Sequence, residues 1–548
     1  MEKLSNGLIK KRPRIQGAAW RRLDNTAKLF AAVSGEDLSS VFRIAAVLKE
    51  PVEPELLHKA LLLTLPEFEN FRVKLRKGFF WYYFETNNRD PVVEEEQSAP
   101  CRFIDPHRGG RFPFRVSYYG CRINFEVFHG LTDGLGAVGF VSRLTEHYLE
   151  LKNGLPTEIR KREFSPMRAD DYLRYYKKLP HKRYESRPAI QVSGEFLPFD
   201  QMAVLHGTFH VDDLKKRSKE VGVSITKYLA AALLWSIIQT ETDGKEMKHP
   251  AALNLPVNLR SFFESETLAN FFAVINISWS ERRAPESFSE VLEAVSRQMD
   301  EQIVKERLEE TISYNVSNEK KWYVRAIPLF IKHLAMELIF LRTSRAHTMT
   351  FSNIGPAKIR EDLREDVEDF ELLVGASPKQ RMKCGAVAYD GKLCLAFTSA
   401  MAENRLPEVF FRFLEDQGIP VEQESNGITD REHDKGRYPV IAQDRRKIKK
   451  AVRMFYLSLV FVSVLAGIVN LATYRQIPFK WSLLTAGAAA YVAMTLKFSV
   501  MRHASLSGIL VRQCLGIQAI LLLIDTLTGL HGWSVDYAIP CVVLFEVA

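Results

Sequence analysis

His129, at the end of an apolar strand, is the residue in this sequence best suited to acid–base chemistry. It follows an alternating apolar segment and opens the turn His-Gly-Leu-Thr-Asp-Gly, residues 129–134. Histidine is the side chain best suited to accept a proton near neutral pH, and a strand end can present it to a cavity. Asp133 is too close in sequence to be a distant triad partner, while Gly134 permits a tight turn and close approach of a ligand or another chain. From the residues alone, a purely structural histidine remains an open alternative.

The pattern His-x-x-x-Asp-Gly after a hydrophobic strand resembles the signature of the CoA-dependent acyltransferase superfamily. That group includes chloramphenicol acetyltransferase, the plant BAHD acyltransferases, the condensation domains of peptide synthetases and the alcohol acetyltransferases. The resemblance implies that His129 is the general base and that Asp133 and Gly134 hold the catalytic turn. Many members carry a second histidine directly before the catalytic one. Here that position is Phe128, which the alcohol acetyltransferase branch tolerates and which argues against a peptide-forming condensation domain.

A second match to the alcohol acetyltransferase pattern lies in the other half of the chain. Residues 256–260 read Pro-Val-Asn-Leu-Arg, and Asn270-Phe271 follows about ten residues later. The resemblance implies that Arg260 pairs with Asp133 and that Arg260 and Asn270 support the catalytic turn. A surface arginine at a strand end is an equally open interpretation of Arg260.

A third informative stretch is Ser-Asn-Ile-Gly-Pro at residues 352–356, where a predicted strand ends. Ser352 and Asn353 can donate hydrogen bonds to a developing oxyanion or to a pantetheine amide, as acyl transfer requires. The stretch resembles the superfamily strand that faces the catalytic histidine, although a polar strand-end turn would look the same. Residues 384–399 then predict a hairpin around Asp390-Gly391.

The strands and helices that must position these residues indicate an α/β protein. The resemblance covers residues 15–418 and implies a two-lobed chloramphenicol acetyltransferase-like fold, with the active site between the lobes. We assign residues 1–185 to the N-terminal lobe and residues 186–418 to the C-terminal lobe. Apolar spacing predicts strands at 41–48 and 122–128, and helices at 20–30, 288–311 and 322–341. The last of these helices is interrupted by ionisable residues and is interpreted as a core or membrane-skimming helix.

The C-terminal part of the sequence predicts a membrane domain. A charged linker at 419–452 leads to a domain of about three transmembrane helices at 453–548. Residues 454–473 contain no charge and are long enough to cross a bilayer. The basic cluster before this span predicts a cytoplasmic catalytic part, and residues 1–20 lack the apolar core of a signal peptide. The last apolar run is short, so either the sequence is truncated or this run lies in the membrane interface. A helical bundle in water is the alternative interpretation of residues 453–548.

Composition excludes several other classes of function. Lys plus Arg exceeds Asp plus Glu by 75 to 66, a mild excess for 548 residues that does not indicate nucleic acid binding. The six cysteines form no C-x-x-C pair, so neither a zinc site nor a disulfide framework is implied. No oligomeric state is indicated.

We therefore expect an acyl-CoA-dependent O-acyltransferase, similar to alcohol acetyltransferases, that transfers an acetyl or other acyl group to a hydroxyl acceptor. Acyl-CoA would be a co-substrate, with no metal and no bound cofactor. Two alternatives remain: a condensation-type N-acyltransferase, and a non-catalytic membrane-anchored binding protein of the same fold. The sequence indicates neither the acceptor nor the acyl chain length.

Overall fold

The computed structural model describes residues 20–105, 111–159, 170–179, 187–198, 201–242, 246–403 and 405–428. The chain divides into two compact units, residues 1–434 and 435–548, and every described residue belongs to the first. The predicted membrane domain at 453–548 and the greater part of the predicted linker lie outside the described residues.

The strands and helices follow one another in a mixed α/β order. The strands are β1 (Trp20–Arg22), β2 (Val41–Leu48), β3 (Val73–Lys77), β4 (Tyr82–Thr86), β5 (Val93–Glu95), β6 (Phe114–Tyr119), β7 (Arg122–Phe128), β8 (Ala203–His210), β9 (Ala251–Asn258), β10 (Phe272–Trp279), β11 (Met349–Pro356), β12 (Val367–Val374), β13 (Met382–Tyr389), β14 (Lys392–Ser399) and β15 (Glu422–Ser425). The helices are α1 (Asn25–Val33), α2 (Pro54–Thr64), α3 (Gly134–Lys152), α4 (Asp171–Arg174), α5 (Val211–Glu220), α6 (Ile225–Thr242), α7 (Phe288–Gln302), α8 (Lys305–Lys320), α9 (Trp322–Ala326), α10 (Leu329–Thr343) and α11 (Arg405–Asp416).

The first sheet has five strands in the order β12-β2-β7-β6-β5. Its central strands β2 and β7 are almost wholly buried, and α2 and α3 form part of the same hydrophobic core. Edge strand β12 comes from the second half of the sequence and pairs antiparallel with β2. Residues from both predicted lobes therefore build this sheet.

The second sheet has seven strands in the order β10-β9-β11-β13-β14-β8-β15. The side chains on one face of this sheet form a core with α6, α7 and α11. The side chains on its other face point toward the first sheet. The predicted hairpin is present as β13 and β14. Its turn has φ values of 44° at Asp390 and 79° at Gly391, the left-handed conformation that a two-residue hairpin needs.

The two sheets meet closely along β12 and β13. A Cβ added to Gly385 on β13 would lie 2.4 Å from the carbonyl oxygen of Leu372 on β12, so only glycine fits there. Thr398 on β14 donates a hydrogen bond of 2.5 Å to the carbonyl oxygen of Val374. The face of β13 and β14 that carries these residues is thus packed against the first sheet.

Three helix predictions differ from the structure. The segment predicted as one helix at 20–30 is strand β1 followed by α1, because Asp24 caps a helix that begins only at Asn25. The predicted helix 288–311 is two helices, α7 and α8, separated at residues 303–304. The apolar run 322–341 is α9 and α10, separated at Pro328, which lacks the backbone N–H that a continuous helix would need.

Within the described ranges, no single helix is long and apolar enough to cross a membrane. Only α5 and α6 taken together, bent by 83° relative to each other, meet the requirements of length and composition.

Candidate functional site

His129 directly follows β7, and the first sheet fixes its backbone. The His129 N–H donates a hydrogen bond of 2.8 Å to the carbonyl oxygen of Ser40, just before β2. Phe30 of α1 stacks on the imidazole with ring centroids 4.4 Å apart, and Phe42 and Phe272 contact it at 4.9 and 5.5 Å. The ring is therefore held between aromatic side chains from three elements.

Asn270 determines which nitrogen of His129 carries the proton. The Asn270 amide nitrogen donates to the His129 carbonyl oxygen at 2.9 Å and to a carboxylate oxygen of Asp24 at 3.3 Å. Because both of these partners are acceptors, the amide oxygen must face Nδ1 of His129, at 3.1 Å. Nδ1 then carries the hydrogen, and Nε2 keeps the lone pair that a general base needs.

The surroundings of His129 also favour the neutral ring. Removal from solvent is the largest effect and lowers the pKa of His129 below its ordinary value of 6.5, against the opposing effects of its own carbonyl group, Asp133 and Asn270. A neutral imidazole at neutral pH is the form that accepts a proton.

Asp133 does not contact His129 but closes the turn that follows it. One carboxylate oxygen caps α3 by accepting from the Gly136 N–H at 3.2 Å. The other accepts from Arg260 Nη1 at 2.8 Å and from the Phe271 N–H at 2.9 Å. The Asp133–Arg260 pair expected from the resemblance is therefore present, and both side chains are largely buried.

Arg260 also shapes the loop that carries Asn270. Its guanidinium donates to the carbonyl oxygen of Thr267 at 2.9 and 3.0 Å and to that of Ala269 at 2.7 Å. Thr132 donates to the carbonyl oxygen of Leu268 at 2.6 Å. These contacts join the histidine turn to loop 259–271 and bring Asn270 to the imidazole.

Strand β11 approaches the same turn through Ile354. A Cβ on Gly134 would lie 2.5 Å from Cγ2 of Ile354, so Gly134 contributes close approach rather than a reacting group. Ser352 pairs with Gly385 of β13 and shares the strand face of Ile354, since side chains two residues apart point the same way. That face is packed against the first sheet, so Ser352 lies on the His129 side of β11.

Asn353 lies on the opposite face of β11 and is not brought together with His129. Its amide nitrogen donates to Thr226 at 3.3 Å, and its amide oxygen accepts from the Gly355 N–H at 3.0 Å. With Thr226, Pro256 and Phe351 it lines an open cleft of about 260 Å³ at the start of α6. Ser352 and Asn353, which the sequence predicts together as hydrogen-bond donors, thus lie on opposite faces of β11.

Asp24 also belongs to the site, although no sequence pattern predicted it there. It is buried, caps α1 through the Ala27 N–H at 2.7 Å and holds the Asn270 amide. Burial is the largest effect on its carboxyl group and raises its pKa to about 6. An aspartate before a helix signals a cap, but no local pattern indicates its contact with Asn270 more than two hundred residues away.

The described residues contain no group of three or more His, Cys, Asp and Glu side chains that could hold a metal ion. The functional groups brought together are the His129 imidazole and its Asn270 partner, and Ser352 lies on the face of β11 that is directed toward the first sheet.

Comparison with known proteins finds solved structures of similar fold. No curated protein matches the chain, and a model for a family of unknown function, DUF6320, matches residues 438–547. Among solved structures, the trichothecene 15-O-acetyltransferase TRI3 of Fusarium sporotrichioides is 11% identical, with a TM-score of 0.50 over 73% of this chain and 94% of that one. Polyketide synthase associated protein 5 of Mycobacterium tuberculosis is 14% identical, with a TM-score of 0.49 over 73% and 98%. The first condensation domain of the calcium-dependent antibiotic synthetase is 15% identical, with a TM-score of 0.49 over 73% and 96%.

At 11% identity, the similarity to the acetyltransferase shows a shared fold and no more. The described residues have a mixed α/β fold similar to that of this acetyltransferase, which confirms the α/β fold class predicted from the sequence.

Proposed function

We propose that this protein is an acyl-CoA-dependent O-acyltransferase in which His129 is the general base. The observation that carries the proposal is the orientation of Asn270, which holds the hydrogen on Nδ1 of His129 and leaves Nε2 free to accept one. The fold shared with an O-acetyltransferase supports the same class of reaction.

In the proposed reaction, Nε2 of His129 takes the proton of an acceptor hydroxyl as the oxygen attacks the thioester carbonyl. The tetrahedral intermediate carries a negative charge on the former carbonyl oxygen, and a positioned hydrogen-bond donor stabilises it. Collapse breaks the carbon–sulfur bond, and the leaving thiolate takes the proton back from Nε2. The products are an ester and free CoA, and no covalent acyl-enzyme forms.

Ser352 and Asn353 receive separate roles in this proposal. Ser352 shares the sheet face that meets the histidine turn, so its hydroxyl would donate to the oxyanion. Asn353 lines the open cleft with Thr226, where its amide suits the amide groups of the pantetheine arm of CoA. Ser352 on one face of β11 would then contact the reacting carbonyl, and Asn353 on the opposite face would contact the pantetheine arm.

We further propose that the enzyme works at a membrane with its catalytic part on the cytoplasmic side, where acyl-CoA is available. The outer face of α10 supports this proposal because it is apolar: Ile331, Leu338 and Ile339 are 46%, 61% and 60% exposed. Trp322 before α10 is 78% exposed, and Phe79, whose carbonyl oxygen accepts from the Leu329 N–H, is 68% exposed. Together these five side chains form what we call the apolar face.

Positive charges border the apolar face, as expected of a helix that lies on an anionic bilayer. Exposed cations precede α9, interrupt it and follow the outer face of α10: Lys320, Lys321, Arg325, Arg342 and Arg345. A bilayer is the occupant that fits both the aromatic and aliphatic face and its cationic ends.

The apolar face lies close to α1, because α10 packs against that helix. Lys28 of α1 forms an ion pair with Glu319 of α8 at 2.5 Å, and Lys332 of α10 donates to the carbonyl oxygen of Phe80 at 3.1 Å. Helix α1 in turn supplies Phe30, which stacks on His129. An acceptor that dissolves in the bilayer would therefore approach from this side.

The reaction class is tested with the full-length protein, acetyl-CoA and matched alcohols and amines. We expect CoA thiol release that depends on an alcohol, with the ester identified by mass spectrometry. Release that depends only on amines would favour the condensation-type reaction, and CoA binding without any release would favour a binding protein.

A further inference from the structure

Lys383 is a largely buried lysine for which the described residues provide no carboxylate partner. The residue is 9% exposed, and it makes no side-chain hydrogen bond or ion pair with the part of the chain that the structure describes. Burial lowers the pKa of Lys383 to about 8, opposed only by Cys101. That thiol supplies no countercharge, because burial raises its own pKa to about 12. An ammonium group that is largely withdrawn from water and has no countercharge gains from an anionic ligand.

The strand register directs Lys383 to the interface between the sheets. Lys383 on β13 is directly opposite Thr398 on β14, and directly paired residues project from the same face. Thr398 donates to the carbonyl oxygen of Val374, and Val374 pairs with Phe42 of β2. The ring of Phe42 lies 4.9 Å from that of His129. A short series of contacts thus joins the surroundings of Lys383 to the imidazole.

The same face also carries Ser352. Thr350 pairs with Lys383, and Ser352 pairs with Gly385, two residues further along β13. Two strand residues span about 7 Å and neighbouring strands lie about 4.8 Å apart, so the Cα atoms of Lys383 and Ser352 are about 8 Å apart, the length of a small substrate fragment. Lys383 also contributes to lowering the pKa of His129, after the larger effect of burial.

We propose that Lys383 binds a carboxylate of the substrate within the interface between the two sheets, beside His129 and Ser352. The proposal rests on the proposed acyl transfer and narrows its substrate class. Two substrates present this chemistry: an acceptor alcohol that is itself a hydroxy acid, and a dicarboxylic acyl group carried by CoA.

His347 lies close enough to Lys383 for the two groups to interact electrostatically. Burial first, and then Lys383, lowers the pKa of His347 to about 4, so it is uncharged at neutral pH and adds no second positive charge beside Lys383.

The binding test does not depend on turnover. Melting temperatures of the full-length protein are measured with glycolate, lactate, 3-hydroxybutyrate, malonate and succinate, and with the corresponding neutral amides. We expect at least one carboxylate, but not its amide, to stabilise the wild type, and Lys383→Met to weaken that binding by about 10- to 100-fold, the range for a charged hydrogen bond. Lys358→Met is the matched control, because it removes the same charge from an exposed position.

The proposal is overturned if no carboxylate of the panel stabilises the wild type, or if Lys383→Met binds as tightly as Lys358→Met. Turnover then identifies the source of the anion. A preference for malonyl- or succinyl-CoA over acetyl-CoA assigns the carboxylate to the donor, and a preference for hydroxy acids over their amides assigns it to the acceptor. If no combination releases CoA, the acyl transfer fails as a proposal while the melting experiment still decides whether Lys383 binds anions.

Discussion

The imidazole of His129 depends on a residue from the other half of the chain. Asn270 binds both the ring and the backbone carbonyl of His129, and Asp24 holds the amide in that orientation. A general base needs the correct tautomer as well as a suitable pKa, and this arrangement supplies the tautomer.

Replacement of Asn270 by leucine tests this arrangement at similar side-chain volume. Loss of the hydrogen bond to His129 is worth about 1.5–3 kcal/mol, so kcat should fall by about 10- to 100-fold, while KM for acyl-CoA changes little. Since Asn270 raises the pKa of His129, its removal should also shift the acid limb of the kcat/KM profile to lower pH. A drop in kcat with an unmoved pH profile would show that Asn270 serves the fold alone.

The pH profile of the wild type follows from the same group. Activity requires neutral His129, whose pKa is lowered below 6.5 by burial. Activity should therefore be lost only as the pH falls through a value below 6.5, and kcat/KM should be flat across neutral pH. In Lys383→Met, which removes a nearby positive charge, the midpoint should rise. A wild-type midpoint above pH 7 would contradict the conclusion that burial lowers the pKa of His129.

The sequence predicted those site residues that belong to a local pattern. His129 and Asp133 stand four residues apart in one turn, and Arg260 lies in a short motif of its own. Asp24 and Lys383 have no such signal. Asp24 caps α1, and its place in the site depends on a contact with Asn270 from a distant part of the chain. The position of Lys383 depends on which face of β13 points to the other sheet, and a single-residue difference in register would reverse it.

At the scale of elements, one arginine joins the histidine turn to the loop that carries Asn270. Arg260 contacts the carboxylate of Asp133 and the carbonyl oxygens of Thr267 and Ala269. Because the guanidinium makes several bonds in fixed directions, lysine cannot reproduce them.

Replacement of Arg260 should therefore affect both stability and activity. Arg260→Met leaves the buried Asp133 carboxylate without its partner, which typically costs about 3–5 kcal/mol. Arg260→Lys keeps the charge but loses the bonds to the loop. Compared with Arg260→Met, it should therefore regain part of the stability and a smaller share of the activity. Chemical denaturation and kcat, measured on both variants, check this order of stability and activity. Equal activity in Arg260→Lys and wild type would show that the loop does not need the guanidinium.

Two strongly apolar strands were predicted well from the sequence. Residues 41–48 and 122–128 are strands with the predicted bounds, because strands that are buried on both faces are rich in apolar residues. The position of β12 in the first sheet was not predicted. It pairs with β2, which lies more than three hundred residues earlier, and pairing over such a distance leaves no local periodicity. The break between α7 and α8 was missed because the amphipathic spacing continues on both sides.

At the scale of the whole molecule, the apolar face on α9 and α10 predicts direct contact with lipid. Vesicles that contain anionic lipids with brominated acyl chains should quench part of the tryptophan fluorescence of the full-length protein. Trp322→Phe should remove a distinct share of that quenching, because Trp322 is 78% exposed. Trp279→Phe is the matched control, since Trp279 is only 4% exposed. Equal quenching in the two variants would exclude insertion of this face, whatever residues 453–548 do.

The central claim is that His129 removes the proton from an acceptor hydroxyl during acyl transfer from CoA. The most direct measurement compares CoA thiol release and ester formation by full-length wild type, His129→Gln and His249→Gln, with the acceptor that the wild type uses best. His249 is an exposed histidine and controls for the substitution itself. We expect His129→Gln to lose about 10²- to 10⁴-fold in kcat, the range for a general base, with an unchanged melting temperature, while His249→Gln matches the wild type. Full turnover in His129→Gln would contradict the proposed mechanism.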